Sequence, residues 1–350
     1  MERTQASIAR AALLAPSADN SQPWAMRWRG RTLEISYSPH APVPQVFKAD
    51  SHATLLAAGA LAENLVAACA TNGISVDLQW SAEINDCHPF LAATLNHLPD
   101  HFTVPARVEQ RHTNRGAFRS TALPDALLTA MGRCSEGGNR LLALRDRSQR
   151  IALSKLIRIC SEARFCNRDL HEWLFDSLRF TPAEAARGNG LDVRCLGLPP
   201  GGKIFLRFIS DWGRLSMLNR LGAYKLLARS EAMAIATAPA LLCVVGHRQP
   251  PDVIQAGRLM TRIWQECNAQ GIAVHPFYVV TDQIQRLHAG ALATGFAARI
   301  TAVENDLHTL LQLQPDEMLH MVLRVGYPAS VPVRSQRLPL DAVMRDDTAD

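Results

Sequence analysis

The feature that most limits how this chain can fold is a segment that occurs twice. Gly59–Val76 and Gly257–Val274 align without a gap, the second copy following the first by 198 residues. Each copy reads as a long apolar helix, a glycine that ends it, and an apolar strand. The identical pairs are Gly59/Gly257, Leu61/Leu259, Cys69/Cys267, Gly73/Gly271, Ile74/Ile272 and Val76/Val274. The repeat predicts two copies of one scaffold whose central helices pack as at a homodimer interface; the alternative is a chance match.

The composition is that of an ordinary globular protein. Of 350 residues, 47% are hydrophobic and 20% are charged, which allows two domains or one compound domain. The net charge is +5, and the sequence contains no dominant block of Lys and Arg, so nucleic acid is not an expected partner. The eight cysteines form no C-x-x-C pair, which favours a reducing compartment.

Apolar runs long enough for targeting or membrane insertion are not evident. The N-terminal run is interrupted by Pro16, and the run Ala232–Gly246 contains Pro239 and is too short to span a bilayer. We therefore expect a cytoplasmic protein without stable membrane insertion, as a monomer or weak dimer. No spacing of His, Cys, Asp or Glu suggests a metal site.

Hydrophobic periodicity predicts a mixed α+β fold. The expected helices are Gln5–Leu14, His52–Asn72, Leu123–Gly132, Gln149–Phe175, Ile204–Met233, Val253–Gln270 and Ala302–Gln312. The expected strands are Trp24–Trp28, Thr32–Tyr37, Ile74–Trp80, Pro89–Leu95, Leu141–Leu144, Ala240–Gly246, Ile272–Val280 and Met318–Val325. The first two strands flank Arg29-Gly30-Arg31, which predicts a hairpin.

The N-terminal loop, Ala15–Trp24, reads APSADNSQPW and is dense in small and polar residues. Its hydroxyl and amide side chains, on Ser17, Asn20 and Gln22, offer donors and acceptors that suit the edge of a planar heterocycle such as a flavin. The alternative is a helix-terminating turn in which these groups satisfy the local backbone.

Two cationic segments are candidates for gripping a phosphate. Arg111, Thr113 and Arg115 place two guanidinium groups and a hydroxyl within five residues, and Arg334 and Arg337 form a similar pair near the C-terminus. Arginine forms charge-assisted hydrogen bonds with phosphate. The alternative in each case is a solvated basic surface. The G-x-x-x-x-G-K sequence from Gly197 lacks the following Ser or Thr and is not interpreted as a nucleotide loop.

Together these segments resemble the nitroreductase superfamily of FMN flavoproteins. APSADNSQPW is similar to that family's APSxxNxQPW loop, RHTNRGAF to its R-x-S-x-R-x-F phosphate loop, and GALAENLVAACATNG to its central interface helix. LRVGYP followed by RSQRLPL resembles its C-terminal strand and tail. Here the phosphate loop follows the N-terminal loop by about ninety residues, the reverse of the usual order. That order resembles the Acg-type FMN-binding oxidoreductases, in which one chain mimics the nitroreductase dimer.

The resemblance implies one FMN and a set of residues around it. The phosphate would be held by Arg111, Thr113, Arg115, Arg334 and Arg337, and the ring bordered by Ser17, Asp19 through its backbone, Asn20, Gln22 and the Pro276 backbone. Asp19 departs from the Acg-type pattern, which often has His there. A carboxylate close to a flavin would disfavour the anionic hydroquinone and lower the potential.

The resemblance also implies a domain division. Residues 1-108 would form the first nitroreductase-like half and 109-345 the second, with the insert 165-232 as a candidate lid. Within it, Lys203–Arg229 is basic and amphipathic. It is interpreted as a helical hairpin on the core, a cap over the flavin, or a membrane-surface contact.

The function implied is that of an FMN-dependent oxidoreductase. The flavin would transfer a hydride or two electrons through N5, with NAD(P)H possible as donor, so no side chain is named as catalytic. The alternative is a non-catalytic protein that sequesters or stores FMN beneath a lid.

Overall fold

The structure, a computed structural model, describes residues 2–39, 46–85 and 88–345. Its helices are α1 (Glu2–Leu13), α2 (His52–Thr71), α3 (Ala106–Gln110), α4 (Asp125–Gly132), α5 (Arg147–Phe165), α6 (Arg168–Ser177), α7 (Pro182–Ala185), α8 (Gly202–Phe208), α9 (Trp212–Arg220), α10 (Ala223–Ala236), α11 (Pro250–Ala269), α12 (Val279–His288) and α13 (Ala297–Leu311). Its strands are β1 (Trp24–Arg29), β2 (Thr32–Tyr37), β3 (Val76–Trp80), β4 (Pro89–Leu95), β5 (Ser135–Glu136), β6 (Asn139–Leu144), β7 (Leu178–Arg179), β8 (Leu191–Asp192), β9 (Ala240–His247), β10 (Ala273–Phe277) and β11 (Glu317–Gly326). The predicted α+β class is confirmed.

Two antiparallel sheets carry most of the strands. The first has the order β1-β2-β4-β3, and the second has the order β10-β11-β9-β6-β5. The predicted hairpin is confirmed, with Trp28 opposite Leu33 and Gly30 in the left-handed region (φ 58°) at the turn. Strand β11 is buried along its whole length because it lies between β10 and β9 with both faces covered.

The two sheets share one strand order. Read from the edge strand that follows each long helix, the first sheet runs β3-β4-β2-β1 and the second runs β10-β11-β9-β6. All the pairings among these strands are antiparallel. In chain order, β1-β2-α2-β3-β4 corresponds to β6-β9-α11-β10-β11. The second set is longer, with α5–α10 between β6 and β9, and with α12 and α13 before β11.

The long helices α2 and α11 touch through their backbones at two glycines. A Cβ atom built on Gly59 would lie 2.0 Å from the carbonyl oxygen of Ile254, and one built on Gly257 would lie 2.2 Å from that of Leu56. Ile254 follows Leu56 by the same 198 residues that separate the two glycines. Gly59 thus packs against Ile254, and Gly257 packs against Leu56, which is the aligned counterpart of Ile254. Such reciprocal contacts are the pattern of a two-fold contact.

A shared ion-pair cluster flanks this crossing. Glu63 on α2 forms ion pairs with the side chains of Arg258 (3.2 Å) and Arg262 (2.8 Å) on α11, and both arginines also pair with Glu136 (2.9 Å each).

Helix α2 is long and apolar enough, by length and composition, to cross a membrane, but 89% of its apolar stretch is buried inside the protein. That burial is typical of a core helix.

Four predicted elements are wrong in extent. The helix expected over Ala302–Gln312 begins five residues earlier, at Ala297. The helix expected over Gln149–Phe175 is two helices, because Asn167 caps α6 by accepting a hydrogen bond from the Leu170 N–H (3.1 Å). The helix expected over Ile204–Met233 is the three helices α8, α9 and α10. The strand expected over Ile272–Val280 ends at Phe277, and α12 begins two residues later, at Val279.

The C-terminal tail, residues 327–345, returns from the second sheet to the first. The Met26 N–H donates to the Val343 carbonyl (2.7 Å), and the Arg345 N–H donates to the Met26 carbonyl (2.8 Å). The tail thereby pairs with β1 and passes beside the N-terminal loop. This crossing brings Arg337 to Leu14 and Asn20, which precede it by more than three hundred positions, and Arg334 to Glu109.

Candidate functional site

A cavity of about 510 Å³ lies where three distant segments meet. Its walls are the end of α1 with the N-terminal loop, residues 109–115, and the tail from Val333 to Leu340. Leu191 and Cys195 from the insert close one side. We call it the cationic cavity because its lining includes Arg10, Arg111, Arg115, Arg334 and Arg337.

Of the ten residues expected to contact the cofactor, seven line this cavity. They are Ser17, Asn20, Arg111, Thr113, Arg115, Arg334 and Arg337. Asp19, Gln22 and Pro276 lie outside the lining. The structure thus brings the two predicted phosphate-binding segments and part of the N-terminal loop together, and their contacts with a cofactor stay predictions.

Arg111 is buried and only partly satisfied. Its Nη2 donates to the Leu14 carbonyl (3.2 Å), and its guanidinium lies 4.7 Å from the ring centre of Trp264. Its Nε has no hydrogen-bond partner. Trp264 is itself held in place, since its Nε1 donates to the His112 carbonyl (2.8 Å). A buried N–H without an acceptor is costly, so this group is suited to receive an anionic ligand.

Arg337 and Arg334 approach the same place from the tail. Arg337 donates through Nη2 to the carbonyl of Leu14 (3.2 Å), the atom that Arg111 also uses, and through Nη1 to Asn20 Oδ1. Its Nε is also unpartnered. Arg334 is exposed, and its Nη1 makes a long contact to the Glu109 carbonyl (3.4 Å). In the described part of the chain, none of these arginines forms an ion pair with a carboxylate.

Burial lowers the pKa of two of these arginines, and neighbouring cations add to the effect on Arg111. Burial, and secondly the charges of Arg337 and Arg334, hold the pKa of Arg111 well below its usual value. Burial lowers the pKa of Arg337 to about 10. Like charges held together in a partly desolvated cavity repel one another unless an anion lies among them. The cavity is therefore preorganised for a multiply charged anion such as a phosphate group.

The N-terminal loop has an unusual backbone. The backbone of Asp19 (φ 46°), Asn20 (φ 61°) and Gln22 (φ 49°) lies in the left-handed region, which residues other than glycine rarely adopt. Such conformations persist where surrounding contacts over-determine them, and they cluster at functional sites. Ser17 contributes by accepting a hydrogen bond from the Gln22 N–H at its hydroxyl oxygen (2.9 Å).

The two amide side chains of the loop hold other segments together. Asn20 Nδ2 donates to the carbonyls of Gly190 (2.7 Å), Gln336 (2.8 Å) and, more distantly, Gly188 (3.2 Å). Gln22 Nε2 donates to the Gly188 carbonyl (2.8 Å), and its Oε1 accepts from the Leu338 N–H (2.9 Å). The loop therefore clamps the insert to the tail. The sequence carries no signal of this role, because the partners are backbone groups, 170 positions away in the insert and 316 positions away in the tail.

Asp19 lies on the insert side of the loop. Its carboxylate accepts a hydrogen bond from Trp173 Nε1 on α6 (3.2 Å). Burial raises the pKa of Asp19, and the charges of Arg115 and Arg164 partly offset this effect. Asp282 on α12 adds a smaller repulsive contribution. Trp173, Arg164 and Asp282 were not expected at the site, since only the packing of α5, α6 and α12 brings them near.

Pro276 lies in β10 opposite Leu323, next to a half-buried histidine. The Nδ1 atom of that residue, His275, has no hydrogen-bond partner, and its pKa is held well below the usual value by burial and then by the charges of Arg115 and Arg324. The charge of Arg115 thus acts on both Asp19 and His275. It connects the cationic cavity with the region expected to hold the ring.

A buried hydrogen-bond chain close to β10 was also missed. His52 lies between Tyr278 Oη and His320 Nδ1, at 3.0 Å from each. Burial lowers the pKa of His320 to about 4 and that of His52 well below its usual value. Both rings are therefore neutral at pH 7. Across the residues that the structure describes, no group of three His, Cys, Asp or Glu side chains is placed to hold a metal ion.

Comparison with known proteins identifies distant similarities. No family model matches the chain. A curated relative, the uncharacterized protein MT1398 of Mycobacterium tuberculosis, is 24% identical over 335 residues, which are 91% of this chain and 45% of that protein. The chain thus spans about half the length of the curated relative it matches.

Among solved structures, the chain resembles FMN-dependent nitroreductases. One is the nitroreductase NfnB of Mycobacterium smegmatis in complex with NADPH, with a TM-score of 0.40 and 14% identity over 69% of this chain and 96% of that one. Another is a nitroreductase-like family protein of Bacillus cereus, with a TM-score of 0.36 and 12% identity over 72% and 100% of the two chains. Similarities this distant leave the ligand and the reaction to be argued from the residues of this chain.

Proposed function

We propose that this protein binds one FMN, with the phosphate in the cationic cavity, and acts as a flavin-dependent oxidoreductase. The observation that carries the proposal is the convergence of Arg111 and Arg115 with Arg334 and Arg337 on one cavity, without an ion-pairing carboxylate among the described residues. The meeting of two cationic segments more than two hundred residues apart at one cavity supports the proposal.

The chemistry of the lining fits a phosphate monoester. The unpartnered Nε atoms of Arg111 and Arg337 are donors that need acceptors, and a phosphate offers several. Thr113 and Ser335 add hydroxyl groups to the lining. The Ser335 hydroxyl already accepts from the Asp192 N–H (3.1 Å), which fixes its position relative to the insert.

We further propose that the chain is internally duplicated and mimics a nitroreductase dimer, as Acg-type proteins do. The shared strand order of the two sheets and the reciprocal contacts of Gly59 and Gly257 support this. In this arrangement residues 1-108 supply the ring-side loop, residues 109-345 supply the phosphate-binding segments, and the pocket lies between the halves.

The flavin, when bound, would supply hydride or two-electron chemistry through N5, with NAD(P)H as a candidate donor. The protein's own residues bind and enclose it. The arginines hold the phosphate, and Asn20 and Gln22 keep the N-terminal loop, the insert and the tail in register. Asp19 would place a carboxyl group, of raised pKa, near the expected ring region. Cytoplasmic location and a monomeric or weakly dimeric state belong to the same proposal.

The second candidate function is sequestration of FMN beneath the insert. The close approach of the insert to the tail favours it, because a Cβ atom on Gly188 would lie 2.0 Å from the Arg337 carbonyl oxygen. An insert seated this tightly would keep a nicotinamide from stacking on the ring. Anaerobic mixing with NADPH distinguishes the two: bleaching of bound flavin supports a reductase, and a stable yellow colour supports storage.

The binding proposal is tested by titrating the purified protein with FMN and following flavin absorbance and fluorescence. We expect stoichiometric binding, and weakening by at least a hundredfold in Arg111→Ala/Arg115→Ala, since each lost charge-assisted bond costs about 1.5–3 kcal/mol. The matched control is Arg119→Ala/Arg133→Ala, which removes two exposed arginines outside the cavity. Equal affinity in both double variants would place the phosphate elsewhere, and failure to bind FMN would reject the proposal.

A further inference from the structure

The excess positive charge of the protein resides in one segment. The chain has 37 lysines and arginines and 32 acidic residues. The segment Lys203–Arg229 contains six of the cationic residues and one of the acidic residues, which gives it a net charge of +5. The rest of the chain holds 31 of each and is formally neutral. The six cations are Lys203, Arg207, Arg214, Arg220, Lys225 and Arg229, and the single carboxylate is Asp211.

The same segment exposes most of the large apolar side chains on the surface. Of ten exposed large hydrophobic residues in the described part of the chain, six belong to it. They are Ile204, Phe205, Phe208, Met217, Leu221 and Leu226. Ile204 is 78% exposed and Leu221 is 85% exposed, which is unusual for side chains that gain from leaving water.

The fold explains why these side chains face outward. Helices α8, α9 and α10 are anchored by a few inward residues, among them Ile209, Leu215 and Ala228, which are 4% exposed or less. Ile204 and Phe208 are one turn apart on α8, and Leu226 lies two turns before the exposed Met233 on α10. The helices therefore present apolar rows that the core does not use.

Within the part of the chain that the structure describes, the cationic side chains of this segment form no ion pairs with carboxylates. Arg214 lies over the Phe208 ring (5.3 Å) and Lys225 over the Tyr224 ring (5.7 Å). Arg220 and Arg229 are exposed. Cations that lie beside exposed apolar side chains form a surface with both an electrostatic and a hydrophobic means of attachment.

We propose that this surface, residues 203–229, attaches the protein peripherally to an anionic lipid bilayer. A basic helical surface with aromatic and aliphatic side chains is what interfacial membrane binding requires. Anionic headgroups attract each nearby Lys or Arg, and the apolar rows enter the headgroup boundary without spanning the bilayer. A second copy of this chain is a poorer occupant, because a two-fold contact would place a charge of +5 against +5.

The test is co-sedimentation of the full-length protein with vesicles of phosphatidylcholine and phosphatidylserine (about 7:3) and with vesicles of phosphatidylcholine alone. We expect binding to the anionic vesicles that weakens at high salt. Arg220→Glu/Lys225→Glu/Arg229→Glu should lower the partition coefficient by roughly a hundredfold or more. The control Arg119→Glu/Arg133→Glu/Arg147→Glu removes the same charge elsewhere and should retain most of the binding.

A second pair of variants tests the apolar rows. Ile204→Ser/Leu221→Ser should reduce binding about tenfold or more, and Val331→Ser, which changes another highly exposed side chain, should not. Circular dichroism and thermal melting confirm that each variant is folded. Equal binding to neutral and anionic vesicles, no binding at low salt, or equal losses in the two charge variants overturns the proposal. So does a dimer, in the absence of lipid, that the apolar substitutions dissociate.

Discussion

The contact between α2 and α11 offers the sharpest test of the fold. Gly59→Ala would place a methyl group 2.0 Å from the Ile254 carbonyl oxygen, 2.9 Å from its carbonyl carbon and 3.1 Å from the Arg258 nitrogen. All three are backbone atoms, so no side-chain rotation relieves the clash. An ordinary contact begins near 3.4 Å, about 1.4 Å beyond this position. Even a gap of about 0.5–1 Å forfeits a quarter to a half of the dispersion energy across the crossing.

We expect Gly59→Ala to lower the free energy of unfolding by about 3 kcal/mol, the upper part of the range for overpacking. This loss exceeds the gain of about 1 kcal/mol that alanine brings to a helix interior. Gly257→Ala should behave alike, because its methyl group would lie 2.2 Å from the Leu56 oxygen. Urea denaturation followed by circular dichroism measures both.

The matched control is Gly132→Ala, at the end of α4, where an added Cβ meets nothing within 4 Å. We expect that change to be neutral or stabilising by up to about 1 kcal/mol. If Gly59→Ala and Gly257→Ala also prove neutral or stabilising, the two long helices do not touch through their backbones, and the two-fold packing is refuted.

Three further predictions concern the site and its surroundings. Arg334→Gln should weaken FMN binding about tenfold while changing the free energy of unfolding by less than about 0.5 kcal/mol, measured by titration and urea denaturation, because this arginine is exposed and weakly bonded. Asp19→Asn should raise the midpoint potential of bound FMN by tens of millivolts, measured by dye equilibration, since a carboxylate disfavours added negative charge; an unchanged potential places Asp19 away from the ring. His320 has a pKa of about 4 in the folded protein and near 6.5 when unfolded. The unfolded chain therefore binds the proton more readily, and the contribution of His320 to the free energy of unfolding is full above pH 6.5 and is lost as the pH falls toward 4. Between pH 7 and pH 5 this loss is about 2 kcal/mol, and His320→Gln should reduce the slope; an identical slope in the variant would contradict it.

Much of the fold follows from local pattern. The strands of the hairpin match the expectation from alternation around a glycine turn, except that β1 extends one residue further, to Arg29. Strand β4 (Pro89–Leu95) matches the sequence expectation at both ends. The helices α2 and α11 differ from the prediction by three residues or fewer at each end. In these elements the hydrophobic period, the turn residues and the stop signals all agree, so the pattern alone is sufficient.

The errors arose where local signals were ambiguous. The run Ile272–Val280 is apolar enough for a strand throughout. The strand nevertheless ends at Phe277, and α12 buries Val279, Val280 and Ile284 in the same hydrophobic cluster as Phe277. Short apolar runs do not distinguish a strand from the start of a buried helix. Likewise, α5 ends at Phe165 and Asn167 caps α6, and a single capping residue inside a long helical pattern is a weak signal.

By itself, the sequence determined the α+β class, the long helix and following strand in each of the two aligned segments, and the cationic and amide residues that are candidates for a flavin site. Tertiary structure alone decided how these residues are used. It joined Arg111 and Arg337 at one carbonyl of Leu14, and it committed the amides of Asn20 and Gln22 to backbone groups of the insert and the tail. The physical reason is that hydrogen bonding and charge repulsion act over a few ångströms in space, whereas the partners lie hundreds of positions apart along the chain.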